Sequence, residues 1–522
     1  MKEILTIAAV CAGLMSFTAC NDFLDEDPKS TLTNVGYYQT EAQALANVNY
    51  LYRIGAIDRM SSAPSAYIGC FASVNQMLTG YFSNSYEGQE QVCKYARELT
   101  RQQFTMRIAS TMDEAWDDSY KAINTANSLI KHIGTIPMAE ETKAQLIAEA
   151  KFFRAFNYFF LVKTFGGVPL YTEPYESPEN MELKRSSVAD VYSQIEADLK
   201  DALSLPAVRY QDNGHRISKF VVAMTLSSVY MQENKYAEAA EMAKIVIDSP
   251  HKLTANGDMG MHSAFNQLRT QDDIDEVIYS REYDATISPS NWFPTYAFNG
   301  TATAVFSTYS IFERVFGPTN QFLNVYEKND LRIQPNQFFH WEYKNPNTGA
   351  TWKSEDAAGC WYYYDEEALL NTGRGTKDFN IYRYAEALLN GAEAIAQSKG
   401  VTPEAAGYLA QVQARSNMEG KTVADLTAKL QTLSKEAFIE ACWVERLREF
   451  PLEFKMWDDC TRTKKFPVIS KTEKGKVRFV DLIGATNGSG ATFKETDLYW
   501  PISVNEIQRN PNLEQNAGYS RE

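Results

Sequence analysis

The chain has 522 residues, 44% of them hydrophobic and 22% charged, which excludes an intrinsically disordered protein. Its length exceeds what one small core supports, so either two domains or one repeat array with large insertions is expected. A formal net charge of -15 repels nucleic acid and anionic lipid, so no nucleic-acid partner is expected and a neutral or cationic ligand suits the surface.

The chain opens with Met1 and Lys2, then an apolar run from Ile4 to Phe17, then Phe17-Thr18-Ala19-Cys20. The run is shorter than the roughly 20 residues that a membrane-crossing helix needs. It reads as an export signal over residues 1–19, cut at a small residue. The Thr-Ala-Cys pattern is similar to a bacterial lipobox, in which the cysteine is acylated and becomes the new N-terminus, so Cys20 is the candidate lipid attachment site. Residues 20–40 follow as an acidic tether without helical periodicity.

Apolar residues then recur at helical spacing over residues 41–54, 112–133, 140–165 and 188–203. Residues 218–248 read as two helices: Ala223, Leu226 and Tyr230 share one face of the first, and Tyr236, Ala239, Ala240, Ala243 and Val246 lie on the second. This pair of about 34 residues resembles a tetratricopeptide repeat. Further helices are predicted over residues 379–398, 403–416 and 435–449. Thr402-Pro403-Glu404 places a capping hydroxyl before a proline at the first helical position. Phe165-Gly166-Gly167-Val168-Pro169 ends its helix with glycine and then proline. The expected fold is mainly α, a tetratricopeptide-like scaffold of helix pairs with a large irregular, loop-rich and aromatic-rich subdomain.

Two segments interrupt that scaffold, residues 55–111 and 251–377. Long insertions on a rigid frame are commonly functional. The second holds 21 Phe, Tyr and Trp in the 86 residues of 279–364, against 13% aromatic for the whole chain, and so must bury a core of its own. The predicted organisation is a helical part over 41–250 carrying the insertion 55–111, a ligand-binding subdomain over 251–377, and a C-terminal helical part over 378–522.

Beyond Cys11 and Cys20, the five cysteines Cys70, Cys93, Cys360, Cys442 and Cys460 show no metal-like spacing, and an odd number cannot all pair. Buried thiols are expected, with Cys70 and Cys93 the one pair open to a disulfide. No metal or cofactor is called for. The histidines His132, His215, His251, His262 and His340 are scattered, and no Gly-x-Ser-x-Gly elbow or phosphate loop is present.

The ordered strings of the chain resemble the SusD/RagB family of Bacteroidetes outer-membrane lipoproteins from end to end. The opening Cys20-Asn21-Asp22-Phe23-Leu24-Asp25 is similar, as are Trp116, Tyr120, Ile123, Asn124 and Asn127 of an early helix. The strongest match is Glu149-Ala150-Lys151-Phe152-Phe153-Arg154-Ala155, running on to Phe165-Gly166-Gly167-Val168-Pro169-Leu170. Tyr382-Arg383-Tyr384-Ala385-Glu386-Ala387-Leu388-Leu389 is similar to a third string, and Trp500-Pro501-Ile502 with Asn510-Pro511-Asn512-Leu513 closes the match. The chain departs where the family usually has glycine and a basic residue, at Phe454 and Met456. The resemblance implies a surface-exposed lipoprotein on the outer membrane that binds a glycan or other nutrient and acts as the lid of a SusC-like TonB-dependent transporter.

A sugar offers C–H faces and many hydroxyls, so its site needs an exposed aromatic plane flanked by amides, acids or arginine. Tyr81, Phe82, Asn84 and Tyr86 in the first insertion and Trp292, Tyr296 and Asn299 in the second supply such sets. Asp58, Arg59 and Arg374 are candidate polar contacts, and Trp341, Trp352 and Trp361 with Tyr362, Tyr363 and Tyr364 form either a second platform or a buried sheet. The leading expectation is a non-catalytic lipoprotein that captures a neutral glycan. A protein-interaction scaffold and a glycoside hydrolase using an opposed carboxylate pair remain alternatives.

Overall fold

Several helices begin where the apolar period meets a capping side chain, as at Thr40, Ser187, Thr402, Thr422 and Ser434. The computed structural model describes residues 38–55, 71–85, 91–100, 106–175, 181–286, 291–298, 302, 305, 316–354 and 357–520. Its first helix, α1 (Glu41–Ile54), begins with a capping box: Gln43 N donates to the Thr40 side chain, and Thr40 N donates back to the Gln43 side chain. Short helices α2 (Phe71–Met77) and α3 (Gln91–Arg97) follow. Helix α4 (Met106–His132) starts six residues before the predicted boundary, because no glycine or proline interrupts the chain there.

Helix α5 (Glu140–Phe165) buries residues on every side, as a helix through the interior must, and ends at Gly166 with φ +76. Helix α6 (Val188–Ala202) is capped by Ser187, and α7 (Lys219–Gln232) and α8 (Tyr236–Ile247) form the predicted helix pair. After α9 (Ala264–Thr270) the helical frame resumes with α10 (Tyr384–Lys399), α11 (Pro403–Ser416), α12 (Val423–Leu430), α13 (Lys435–Glu449) and α14 (Met456–Thr463). Consecutive helices pack on one another, α4 on α5, α5 on α6, α7 on α8, α10 on α11 and α11 on α12, while α8 lies against α10 and joins the two halves. That approach needs Gly391, since a Cβ there would sit 3.0 Å from Ile247 Cδ1 and 3.3 Å from the Tyr408 ring. The result is the mainly helical, tetratricopeptide-like stack that the periodicity predicts.

One predicted element is different. Residues 379–383 are a strand, β8 (Phe379–Arg383), antiparallel to β2 (Val277–Arg281), and the helix begins only at Tyr384. All five residues of β8, Asn380 and Arg383 among them, are buried, and a short run buried on both faces has no alternation to separate strand from helix. The other described strands form antiparallel pairs: β1 (Phe82–Ser83) with β3 (Gly317–Pro318), β4 (Phe339–His340) with β7 (Gly359–Cys360), β5 (Glu342–Lys344) with β6 (Thr351–Lys353), and β9 (Lys465–Ile469) with β10 (Val477–Asp481).

The large core joins the N-terminal helices to much of the second insertion, and another core lies among α10, α11, α12 and α13. A small cluster of Phe298, Ala302, Val305, Tyr343, Trp361, Leu369 and Leu370 sits apart within the second insertion, with Trp352 and Tyr364 packed against it. Cys442 and Cys460 are buried free thiols, Cys93 and Cys360 are buried, and Cys70 lies outside the described residues.

Candidate functional site

The second insertion brings Trp292 and Arg374 together. Trp292 precedes a single helical turn, Phe293–Tyr296, and its neighbour Asn291 holds the opposite strand at three points. Asn291 N donates to Gly375 O (3.2 Å), Gly375 N donates to Asn291 O (2.8 Å), and the Asn291 side-chain amide donates to Lys377 O (2.6 Å). Gly373 supplies a left-handed turn with φ +73, and a Cβ on Gly375 would come within 2.8 Å of Pro294 Cγ and 3.0 Å of Asp365 Oδ2. The close approach carries the Arg374 guanidinium to 4.5 Å from the centre of the Trp292 ring. Tyr296 lies parallel beneath Trp292, 5.8 Å away at 15°. Arg374 is exposed, Trp292 half-buried and Tyr296 buried.

Beside this stack opens a cleft of about 570 Å³, bordered by Asn291, Pro294, Thr376 and Lys377 on one side and by Arg269 and Tyr362 to Glu367 on the other. Asp272 and Asp378 also line it, and Asn291, Asn380 and Glu453 are its most buried polar residues. Tyr364 stacks on Trp361 at 4.2 Å and 6°, Trp361 Nε1 donates to Asn266 Oδ1 (2.9 Å), and Arg269 lies over both rings while donating to Tyr364 O (2.8 Å). Burial, reinforced by the charge of Asp272, pushes the Asp378 carboxyl up to about 7. Burial likewise raises Glu453 to about 7 against the pull of Arg383. Among the described residues no group of three or more His, Cys, Asp or Glu is arranged to hold a metal ion.

None of the described residues of the first insertion lines this cleft. Tyr81, expected as part of an exposed platform, is buried: its hydroxyl donates to Pro467 O (2.7 Å) and accepts from Ile469 N (3.1 Å), and its ring stacks on Phe466. Phe82 is buried on Phe316, and Asn84 is buried with its amide 3.4 Å from Cys93 Sγ. The left-handed turn at Gly80 (φ +67) abuts Ser489 N, and the paired strands β1 and β3 then leave these aromatics facing the core, where they present no plane to a ligand. Cys20, Asp58, Arg59, Tyr86 and Asn299 lie outside the described residues. Asp365, Glu366, Glu367, Asp378 and Glu453 went unnoticed in the sequence; the acidic triplet directly after Tyr362-Tyr363-Tyr364 was the available signal.

The chain is thus a stack of helix pairs with an aromatic and acidic cleft lined by the second insertion and by residues of the C-terminal part, a class of helical-repeat protein. Two family models match the chain, "SusD family" over residues 318–519 and "Starch-binding associating with outer membrane" over residues 22–231. SusD-like protein P2 of Formosa agariphila is 25% identical over 480 residues, covering 86% of this chain and 89% of its own. The SusD superfamily structure from Parabacteroides distasonis superposes with a TM-score of 0.78 at 24% identity, covering 92% and 99% of the two chains. Surface glycan-binding protein A from Bacteroides thetaiotaomicron, in complex with laminarihexaose, gives 0.68 at 16% identity, covering 92% and 100%. The chain belongs to the SusD/RagB family.

Proposed function

We propose that the protein is a surface-exposed, non-catalytic glycan-binding lipoprotein, anchored to the outer membrane through Cys20, that passes its ligand to a SusC-like TonB-dependent transporter and serves as its lid. The observation that carries the binding site is the half-buried Trp292, stacked with Tyr296, flanked by the exposed Arg374 and next in the chain to Asn291, which lines the cleft. An aromatic plane takes the C–H face of a sugar, and the neighbouring amide, carboxylate and guanidinium groups bond its hydroxyls. A glycan without anionic groups matches the acidic cleft and the net charge of -15. The family membership and the laminarihexaose complex of a structural neighbour support this reading. No helix among the described residues is long and apolar enough to cross a membrane.

Titration calorimetry of the mature chain against neutral oligosaccharides tests the proposal. Binding should weaken by about tenfold or more in Trp292→Ala, the loss usual for a central aromatic anchor. Binding by no glycan at all would sink it. The same incubations should release no shortened product, and release of one would favour the hydrolase instead. A protein-interaction scaffold is a second reading, favoured by a separate pocket of about 530 Å³ lined by Trp116, Tyr120, Tyr171 and Tyr175. Copurification from outer membrane separates the two: loss of transporter association in Trp292→Ala would contradict a site that serves glycan alone.

A further inference from the structure

The cleft beside Trp292 is strongly one-sided in charge. Asp272, Asp365, Glu366, Glu367, Asp378 and Glu453 line it, against two cations, Arg269 and Lys377. Both cations are engaged: Arg269 donates to Tyr364 O, and Lys377 Nζ lies 2.6 Å from Asp272 Oδ1 and donates to Asp378 O at 3.2 Å.

Two buried acceptors in this lining lack a donor. Glu453 is 3% exposed; its Oε1 accepts from Arg383 Nε at 2.8 Å, whereas its Oε2 has no hydrogen-bond partner among the described residues. Asn380 is 4% exposed; its amide nitrogen donates to the Tyr362 hydroxyl at 3.2 Å, and its Oδ1 is likewise without a partner among the described residues. Buried acceptors in native proteins are nearly always satisfied, so an unmet pair in a cleft wall marks a place for a donor. An ammonium is all donor, with three N–H groups and no acceptor. A single metal ion is a poor fit, because among the described residues no three carboxylates are grouped to hold one. Charge spread along a cleft suits a ligand whose positive groups are themselves spaced.

We propose that this cleft selects a glycan bearing free amino groups, with one ammonium donating to Glu453 Oε2 and Asn380 Oδ1 and the tyrosine wall at Tyr363 and Tyr364 taking the sugar faces. The inference rests on the glycan-binding reading above and narrows its ligand class.

The test is calorimetry of the mature chain with four probes of equal length: a glucosamine hexamer, its N-acetylated counterpart, a neutral glucose hexamer and hexalysine. The glucosamine hexamer should bind at least tenfold tighter than the other three. Its advantage should shrink several-fold in the rim variant Glu366→Gln/Glu367→Gln and in Asn380→Leu, which removes the acceptor and leaves the Glu453–Arg383 pair in place. Equal binding of the three sugars, or preference for either uncharged one, would overturn the inference and leave the glycan reading standing. Hexalysine binding as tightly as the glucosamine hexamer would assign the effect to net charge and also overturn it. Binding of no sugar removes both readings, and an undiminished advantage in both variants places the amine elsewhere and overturns the assigned cleft.

Discussion

Phe454 holds a left-handed backbone, φ +58. A bulky side chain rarely adopts that region, yet its ring packs edge-on to Phe316 at 5.0 Å and parallel to Phe379 at 5.7 Å, with Phe293 alongside at 5.5 Å. Phe454→Gly should relieve about 1 kcal/mol of backbone strain and forfeit about 3–5 kcal/mol of ring burial, a net loss of about 2–4 kcal/mol. Denaturant unfolding would measure it, and a gain in stability would mean that strain outweighs packing. Asp378 makes the opposite kind of test. Its folded carboxyl titrates near 7, raised from 3.8 by burial and by Asp272, so between those values the folded chain keeps a proton that the unfolded chain has lost. Stability from this group is therefore fullest in acid and falls as pH rises to 7. Asp378→Asn should melt higher than the parent at pH 8 and close to it at pH 4 in paired thermal scans. The same melting point at both pH values would contradict the assignment.

Strand β8 is tied to helix α13 and the turn after it by buried ion pairs. Arg383, wholly buried at the end of β8, bonds Glu276 Oε1 at 2.6 Å, Glu449 Oε1 at 2.9 Å and Glu453 Oε1 at 2.8 Å. Arg332 binds Asp330, Glu445 and the other oxygen of Glu449, and Arg415 bridges Glu276 and Glu449 from α11. Burial alone would raise the Glu449 carboxyl, but Arg415, Arg383 and Arg332 together hold it below the usual range. Its share of stability is thus present above the ordinary carboxylate range and lost as pH falls through the folded value. Arg383→Met leaves Glu453 without its arginine and takes one of their cations from Glu276 and Glu449, and should cost about 3–5 kcal/mol, the range for breaking a buried ion pair on one side. Unfolding at neutral pH reads the loss directly, and a change below about 1 kcal/mol would show that the network is energetically slack.

At the scale of the molecule, the insertions and the helical frame share one continuous core, so the cleft is held by the scaffold instead of hanging from it. Tyr81, reaching β9 from the first insertion, is one such tie. The membrane anchor should be separable from this body: Cys20→Ala is expected to move the protein out of the membrane fraction while leaving its glycan affinity unchanged. Fractionation with calorimetry checks both halves, and retention in the membrane fraction would refute lipid attachment at that residue.

Local chemistry made most of the frame legible. Capping side chains and helix-ending glycines act over a few residues, which is why α1, α11 and α13, capped by Thr40, Thr402 and Ser434, and α5, closed by Gly166, have the boundaries that the sequence predicts. The strand β8 was not readable, because a fully buried run carries no alternation and its partner β2 lies about a hundred residues upstream. The site divides in the same way. That aromatics and polar groups concentrate in two insertions is a property of composition, and Trp292 and Arg374 could be named from it. The burial of Tyr81 and Phe82 depended on the turn at Gly80 and the pairing of β1 with β3, which leave both rings in the core. The pairing of Asn291 with Gly375 sets Arg374 beside Trp292. Sequence by itself determined the helical-pair scaffold, the acidic charge and the family, since each follows from local pattern or ordered motif. Only the tertiary structure decided which aromatics are buried and which carboxylates share a cleft, because those outcomes rest on contacts between segments far apart in the chain.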